Sequence, residues 1–234
     1  MSNAVVQAAT GLIARLEETQ QKNVSDAADC IVNALRNGGI LQAFGCGHSH
    51  AGALEFCHRA GGLVPTKLIR EPAWGDYEAI EGVGLLFMKR VEVLPHDVVF
   101  INSNSGRNPM PIEVALECKK RGAKVIALTS LPSSTGLTSR HSSGKRLYEL
   151  ADVVVDTGIP KGDACINIEG LDTTICGMSS IVSATAIQWI VLEVAQKMVA
   201  LGEVPPFYKS QNLDGCTESN DQLMKKYISR IYHI

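Results

Sequence analysis

Five short runs of β-prone residues constrain this chain most: ILQAF (40–44), LVPTKLI (63–69), VVFIN (98–102), KVIALT (124–129) and DVVVD (152–156), each separated from the next by a segment of helical composition. Runs of this length that are apolar on both faces belong in a parallel sheet, because crossover helices must shield each face from water. With right-handed crossovers the series predicts a doubly wound α/β fold, a three-layer α/β/α sandwich on a five-stranded parallel sheet of flavodoxin-like or Rossmann-like type. Ahead of it, apolar positions at helical spacing (Val5, Ala8, Ala9, Leu12, Ile13, Leu16, then Val24, Ala28, Ile31, Val32, Leu35) predict two amphipathic helices ending at Gly38-Gly39. The expected organisation is N-terminal helices over 1–37 that serve oligomerisation, one α/β domain over 38–200 and a C-terminal extension over 201–234.

Composition removes several classes of function. In 234 residues, 45% hydrophobic and 20% charged is a globular balance, and 22 Lys and Arg against 24 Asp and Glu leave a net charge of -2. A nucleic-acid partner is not expected, since binding phosphodiester backbones calls for a basic excess. Seven cysteines without a C-x-x-C pair point to reduced, mostly buried thiols and a cytoplasmic protein. The most apolar stretch, Ile181 to Ala195, carries Ser183, Thr185, Gln188 and Glu193 and falls short of the ~20 apolar residues a bilayer span needs. No membrane association is expected.

Ligands of open α/β sheets bind beyond the carboxyl ends of the strands. The first strand runs into Gly45-Cys46-Gly47-His48-Ser49-His50, where glycines permit a tight turn and Ser49 meets a helix start. A dinucleotide fingerprint would need glycine where His50 stands. The third strand runs into Ser103-Asn104-Ser105-Gly106-Arg107-Asn108-Pro109 and then a helix. Asn108 as cap and Pro109 at the first helical position account for part of this loop. Two hydroxyls, an amide and a cation beyond them supply short donors and a compensating charge for a phosphate.

The segment SNSGRNPMPIEVALECKKRGAKVIALT resembles the signature of the sugar isomerase (SIS) domain family, with Ser-x-Ser-Gly, a helix and a hydrophobic strand. FGCGHSHAGALEF resembles that family's first loop and ADVVVDT its fifth strand, and the style is closest to members like phosphoheptose isomerase. The resemblance implies a phosphosugar-binding sandwich with phosphate held by Ser49, Ser103, Asn104 and Ser105, together with a homodimer or homotetramer built partly by the N-terminal helices. Gly47, His50, Arg107 and Asn108 complete the expected binding set. Asn108 stands where the family usually has Ser or Thr, and Pro109 and Pro111 remove two N–H groups from the helix start, which Arg107 can offset.

Aldose-ketose isomerisation needs a base beside the carbon that loses its proton and an acid that opens the sugar ring, and it requires neither metal nor other cofactor. Glu55, two turns past Ser49, matches the helix on which phosphosugar isomerases of the family carry a glutamate base. An ion pair with Arg59 at i,i+4 is its alternative role. His48 is a candidate acid; His48 and His50 lack the third ligand of a catalytic zinc site. The heptose-phosphate isomerases place a histidine on the long last helix, whereas SSIVSATAIQWIVLEVAQ has none. Residues 131–144 form a hydroxyl-rich insertion in which His141 is a further catalytic candidate, and Glu71, Trp74, Lys161 and Asp163 are candidates for the rim. Besides an isomerase acting through an enediol, a phosphosugar lyase or etherase and a non-catalytic phosphosugar sensor stay open.

Overall fold

The five β-rich runs form one parallel sheet in a computed structural model that describes residues 3–231. Positions 1–2 of the expected N-terminal segment and 232–234 of the C-terminal extension lie outside the described residues. In chain order the elements are α1 (Ala4–Arg36), β1 (Leu41–Gly45), α2 (His50–Phe56), β2 (Thr66–Ile69), α3 (Val83–Met88), β3 (Val98–Asn102), α4 (Pro109–Lys120), β4 (Lys124–Thr129), α5 (Leu131–Thr135), β5 (Val153–Asp156), β6 (Ala164–Ile166), β7 (Ile175–Gly177), α6 (Ser179–Ala200) and α7 (Cys216–Lys225).

The strand order is β2-β1-β3-β4-β5, the flavodoxin-like arrangement, with every pairing parallel. Successive side chains point to opposite faces. Leu41, Ala43, Phe100, Ile126 and Leu128 pack against α1, α2 and α6, while Phe44, Val99, Ile101, Val125 and Ala127 pack against α3 and α4. The chain reverses its winding between β1 and β3, where Gly45 pairs in register with Asn102. A crevice opens at such a reversal because the two following connections leave on opposite faces of the sheet.

The two N-terminal helices expected from the apolar spacing are instead one continuous helix of 33 residues, α1. The interruption in the stripe is filled by Gln20, which is buried between Leu16 and Val24 at i−4 and i+4. Its carbonyl oxygen accepts from Asn23 Nδ2 (2.8 Å) and from the Asp156 backbone N–H (3.0 Å), so a polar residue continues the apolar face and ties α1 to the end of β5.

The C-terminal extension covers the β1–β2 edge. Phe207 bridges to Leu63, and Tyr208 and Ile231 bury against Ile40 and Val64. Beneath β1, the buried Asp97 carboxylate accepts from Ile40 N (3.0 Å), Leu94 N (2.8 Å), Gln42 Nε2 (2.9 Å) and Arg230 Nη2 (2.7 Å). Cys46, Cys57, Cys118 and Cys216 are buried, Cys176 is exposed, and burial pushes the Cys57 and Cys118 thiols up to about 12. No helix among the described residues is long and apolar enough to cross a membrane.

Candidate functional site

The carboxyl ends of β1, β3 and β4 and the turn after β5 border a cleft of about 470 Å³ whose lining includes His48, Ser49, Glu78, Ser103, Asn104, Ser105, Arg107, Asn108, Arg140, Lys161, Asp163 and Ser179. Local folding explains why the loop after β3 turns its side chains there. Its carbonyls are already engaged: Asn104 O accepts from Ser130 N (2.9 Å) and Thr129 Oγ1 (3.1 Å), Gly106 O from Leu147 N (2.8 Å) and Arg107 O from Arg140 N (2.9 Å). Gly106 holds φ at +57°, and a Cβ there would sit 3.1 Å from Thr129 Oγ1 and 3.2 Å from Leu147 Cβ, so glycine fits the turn and its crowding. Two buried atoms of this loop, Asn104 Oδ1 and Arg107 Nε, have no hydrogen-bond partner. An unpaired acceptor and an unpaired cationic donor in one loop suit a ligand carrying both hydroxyls and an anion.

The first loop is set by glycines. Gly47 takes a left-handed φ of +52°, and the segment around Gly75 lies close enough over it that a Cβ on Gly75 would come within 2.8 Å of Gly47 N. Asn102 Nδ2 donates to Ser49 O (2.9 Å) and anchors the loop to β3. His48 and Ser49 face the cleft. His50 turns instead toward a second cavity of about 470 Å³, shared with Arg70, Glu71 and Trp74, and meets the exposed Trp74 ring edge-on at 5.3 Å. The Glu71 carboxylate accepts from Ala73 N (2.9 Å) and Gly75 N, which shapes the turn that carries Trp74.

Glu55 and His141 lie apart from the cleft lining. The Glu55 carboxylate pairs with Arg59, the alternative read in the sequence, and accepts from Gln188 Nε2 on α6 (2.8 Å). His141 is nearly buried, with Nε2 3.5 Å from Glu81 and 3.8 Å from Glu113, while Ser142 donates to Glu81 through its N–H (2.9 Å) and hydroxyl. These contacts pin the insertion and bring its neighbour Arg140 into the cleft. His58 stacks on Tyr208 at 5.6 Å. Of the rim candidates, Lys161 and Asp163 line the cleft, but Asp163 is committed to the start of α6, accepting from Met178 N (3.1 Å), Ser179 N (2.8 Å) and Ser179 Oγ (2.8 Å).

Glu78 joins the cleft without having been singled out as a site residue, and Arg140 enters it from the hydroxyl-rich insertion. Arg140 Nη1 donates to Asn108 Oδ1 (2.9 Å), and both residues line the cleft together with Glu78. Burial lifts the Glu78 carboxyl above the ordinary range; the Asn108 amide pulls it back, the Glu71 charge raises it further and Arg140 opposes. The sequence signal was thin: Glu78 lies in a non-periodic loop after β2. No group of three or more His, Cys, Asp or Glu side chains among the described residues is placed to hold a metal ion.

A parallel α/β domain with a polar, cation-edged cleft at its topological switch point is the class that fold and site define. The chain belongs to the SIS domain family, whose model matches residues 6–130. It is 46% identical over 223 residues to a UPF0309 protein of Listeria monocytogenes, covering 95% of each chain. Among solved structures it resembles a phosphoheptose isomerase from Francisella tularensis, with a TM-score of 0.60 at 16% identity over 83% of this chain and 96% of that one. It also resembles the NanR protein of Vibrio vulnificus solved with ManNAc-6P, with a TM-score of 0.52 at 12% identity over 96% of this chain and 66% of that one. At such identities the likeness concerns the fold.

Proposed function

We propose that this protein binds a sugar phosphate and acts as an aldose-ketose isomerase, moving a proton between adjacent carbons through an enediol. The observation that carries the reading is the convergence of Ser49, Ser103 and Ser105 with Arg107, Arg140 and Lys161 in one cleft, where Asn104 Oδ1 and Arg107 Nε are unpaired. Hydroxyl and cationic donors suit the phosphate, and the amide acceptor suits a sugar hydroxyl. The experiment is a panel of hexose, amino-sugar and heptose phosphates followed by NMR in D2O. Deuterium at the carbon next to the carbonyl together with a new sugar supports isomerisation, release of a fragment means a lyase, and line broadening alone means a sensor.

Ser103→Ala and Ser105→Ala are each expected to weaken sugar-phosphate binding by ~1–3 kcal/mol, the loss for a hydrogen bond to a charged group, with unphosphorylated sugars binding to neither variant nor parent. Calorimetry measures both, and unchanged affinity in the two variants would put the phosphate elsewhere.

The working unit in this proposal is a cytoplasmic homodimer or homotetramer. Ile181, Leu192 and Val199 form an exposed apolar stripe along α6, and Val5 and Val6 are exposed on α1. Between the two helices runs a groove of about 450 Å³ in which Ile13, Leu16 and Trp189 alternate with Glu17, Gln21, Thr185 and Glu193. Exposed apolar side chains on paired helices suit burial between copies. Sedimentation at micromolar concentration is expected to give a mass at least twice 25.1 kDa.

A further inference from the structure

We infer that Glu78 is the catalytic carboxylate of the cleft, with Asn108 and Arg140 as positioning residues that set its working state. The inference rests on the sugar-phosphate reading and deepens it by naming the group that handles the proton. Three observations place Glu78 there. Its side chain lines the same cleft as the serine loop. Its backbone is fixed at both ends of the residue, by Glu78 N to Gly75 O (3.0 Å) and by Met110 N to Glu78 O (3.2 Å), so the carboxylate is carried by the start of α4 and not by a free loop. And Asn108, whose side-chain oxygen accepts from Arg140 Nη1 (2.9 Å), lines the cleft together with Glu78 and favours its ionised form.

The other carboxylates near the strand ends are occupied. Glu71 shapes its own turn, Asp163 caps α6, Glu113 accepts from Gly82 N and Leu85 N (3.2 Å), and Glu55 is held by Arg59 and Gln188. The Glu78 carboxylate instead has a face on the cleft. A partly desolvated carboxylate with a raised proton affinity is what abstraction from carbon at neutral pH demands.

The chemistry balances within the substrate. Glu78 takes the proton from the carbon beside the carbonyl; the C–H electron pair becomes the C=C bond of the enediol, and the carbonyl π pair moves to its oxygen, which gains a proton. The neighbouring hydroxyl then gives up its proton, its oxygen becomes the new carbonyl, and the enediol pair takes the proton back from Glu78 at the former carbonyl carbon. One proton has moved between carbons, one between oxygens, and Glu78 is regenerated.

The test uses the full-length protein and Glu78→Gln, which keeps the shape and removes the basic oxygen. With the panel member that the parent converts, Glu78→Gln is expected to lower turnover ~100–10,000-fold while affinity changes by less than about threefold. Retained turnover in Glu78→Gln overturns the inference, as does loss of turnover in Glu55→Gln alone. Arg140→Gln removes the cation that favours the ionised carboxylate, so the acidic limb of the rate profile is expected to move to higher pH; an unmoved limb removes Arg140 and Asn108 from the positioning role. The charged groups around Glu78 in that profile are Glu71, Arg140, Arg107, Lys161, Asp163 and His48. A panel without any turnover would sink the isomerase reading and leave a binding test of Glu78: calorimetry of the same sugar phosphates near pH 6 in buffers of different ionisation enthalpy. Proton uptake seen in the parent and abolished in Glu78→Gln then supports Glu78 as the cleft's proton carrier, and equal uptake in both overturns it.

Discussion

Asp97→Ala is expected to lower the unfolding free energy by about 3–5 kcal/mol, the loss that follows when one partner of a buried ion pair is removed. The carboxylate accepts from two backbone N–H groups, an amide and the Arg230 guanidinium, and its side chain is fully buried. Deleting it takes the shared acceptor from four donors at once, including a charged one, although Gln42 Nε2 keeps Glu92 O (2.9 Å) and Arg230 Nε keeps the Glu92 carboxylate (2.9 Å). Asp97→Asn keeps the volume and part of the hydrogen bonding but loses the charge, and its cost is expected to be smaller. Chemical denaturation of both variants measures this, and a loss under about 1 kcal/mol for Asp97→Ala would mean that water reaches the site and takes over the donors.

Gly45→Ala is expected to cut sugar-phosphate affinity about 100-fold while leaving the sheet folded. A Cβ at Gly45 would lie 2.3 Å from the Ser49 carbonyl oxygen and 2.6 Å from its carbon, and both atoms are backbone. Rotamer adjustment therefore cannot relieve the clash; the turn carrying His48 and Ser49 must shift, taking with it the acceptor of Asn102 Nδ2. Binding measured beside a thermal melt separates the two effects. Unaltered affinity would show that the first loop lies outside the ligand's reach.

The sheet was legible because each strand is a β-prone run bounded by turn residues, and the parallel order followed from the intervening helices. The hairpin β6–β7 was not, since strands of three residues such as ACI and ICG carry too little pattern to rise above their surroundings. Gln20 misled the reading of α1, because a buried amide on an apolar stripe looks like an interruption until its partners on another element are known. The cleft divides in the same way. Ser49, Ser103, Asn104, Ser105, Arg107 and Asn108 announce themselves by lying next to strand ends, and the fold brings them together. Where Glu55 and His141 point depends on Gln188, Glu81 and Glu113, which are distant in sequence, and Glu78 reaches the cleft only because its loop folds back onto the start of α4.

The pairing of early with late segments carries a consequence for how the protein is made. Arg36 at the end of α1 contacts Glu203 after α6 (2.9 Å), across 167 positions of the chain, and α1 packs along α6 over one face of the sheet. During synthesis the first helix emerges with its apolar stripe uncovered, and the stripe is fully covered only after the strands it packs on and α6 have left the ribosome. The sheet, whose strands are all joined through crossovers, faces the same delay on that side. Such high contact order slows collapse and leaves nascent chains exposed to association, so growth temperature and chaperone supply will govern the yield of folded protein more strongly than they would for a chain whose neighbouring segments pair.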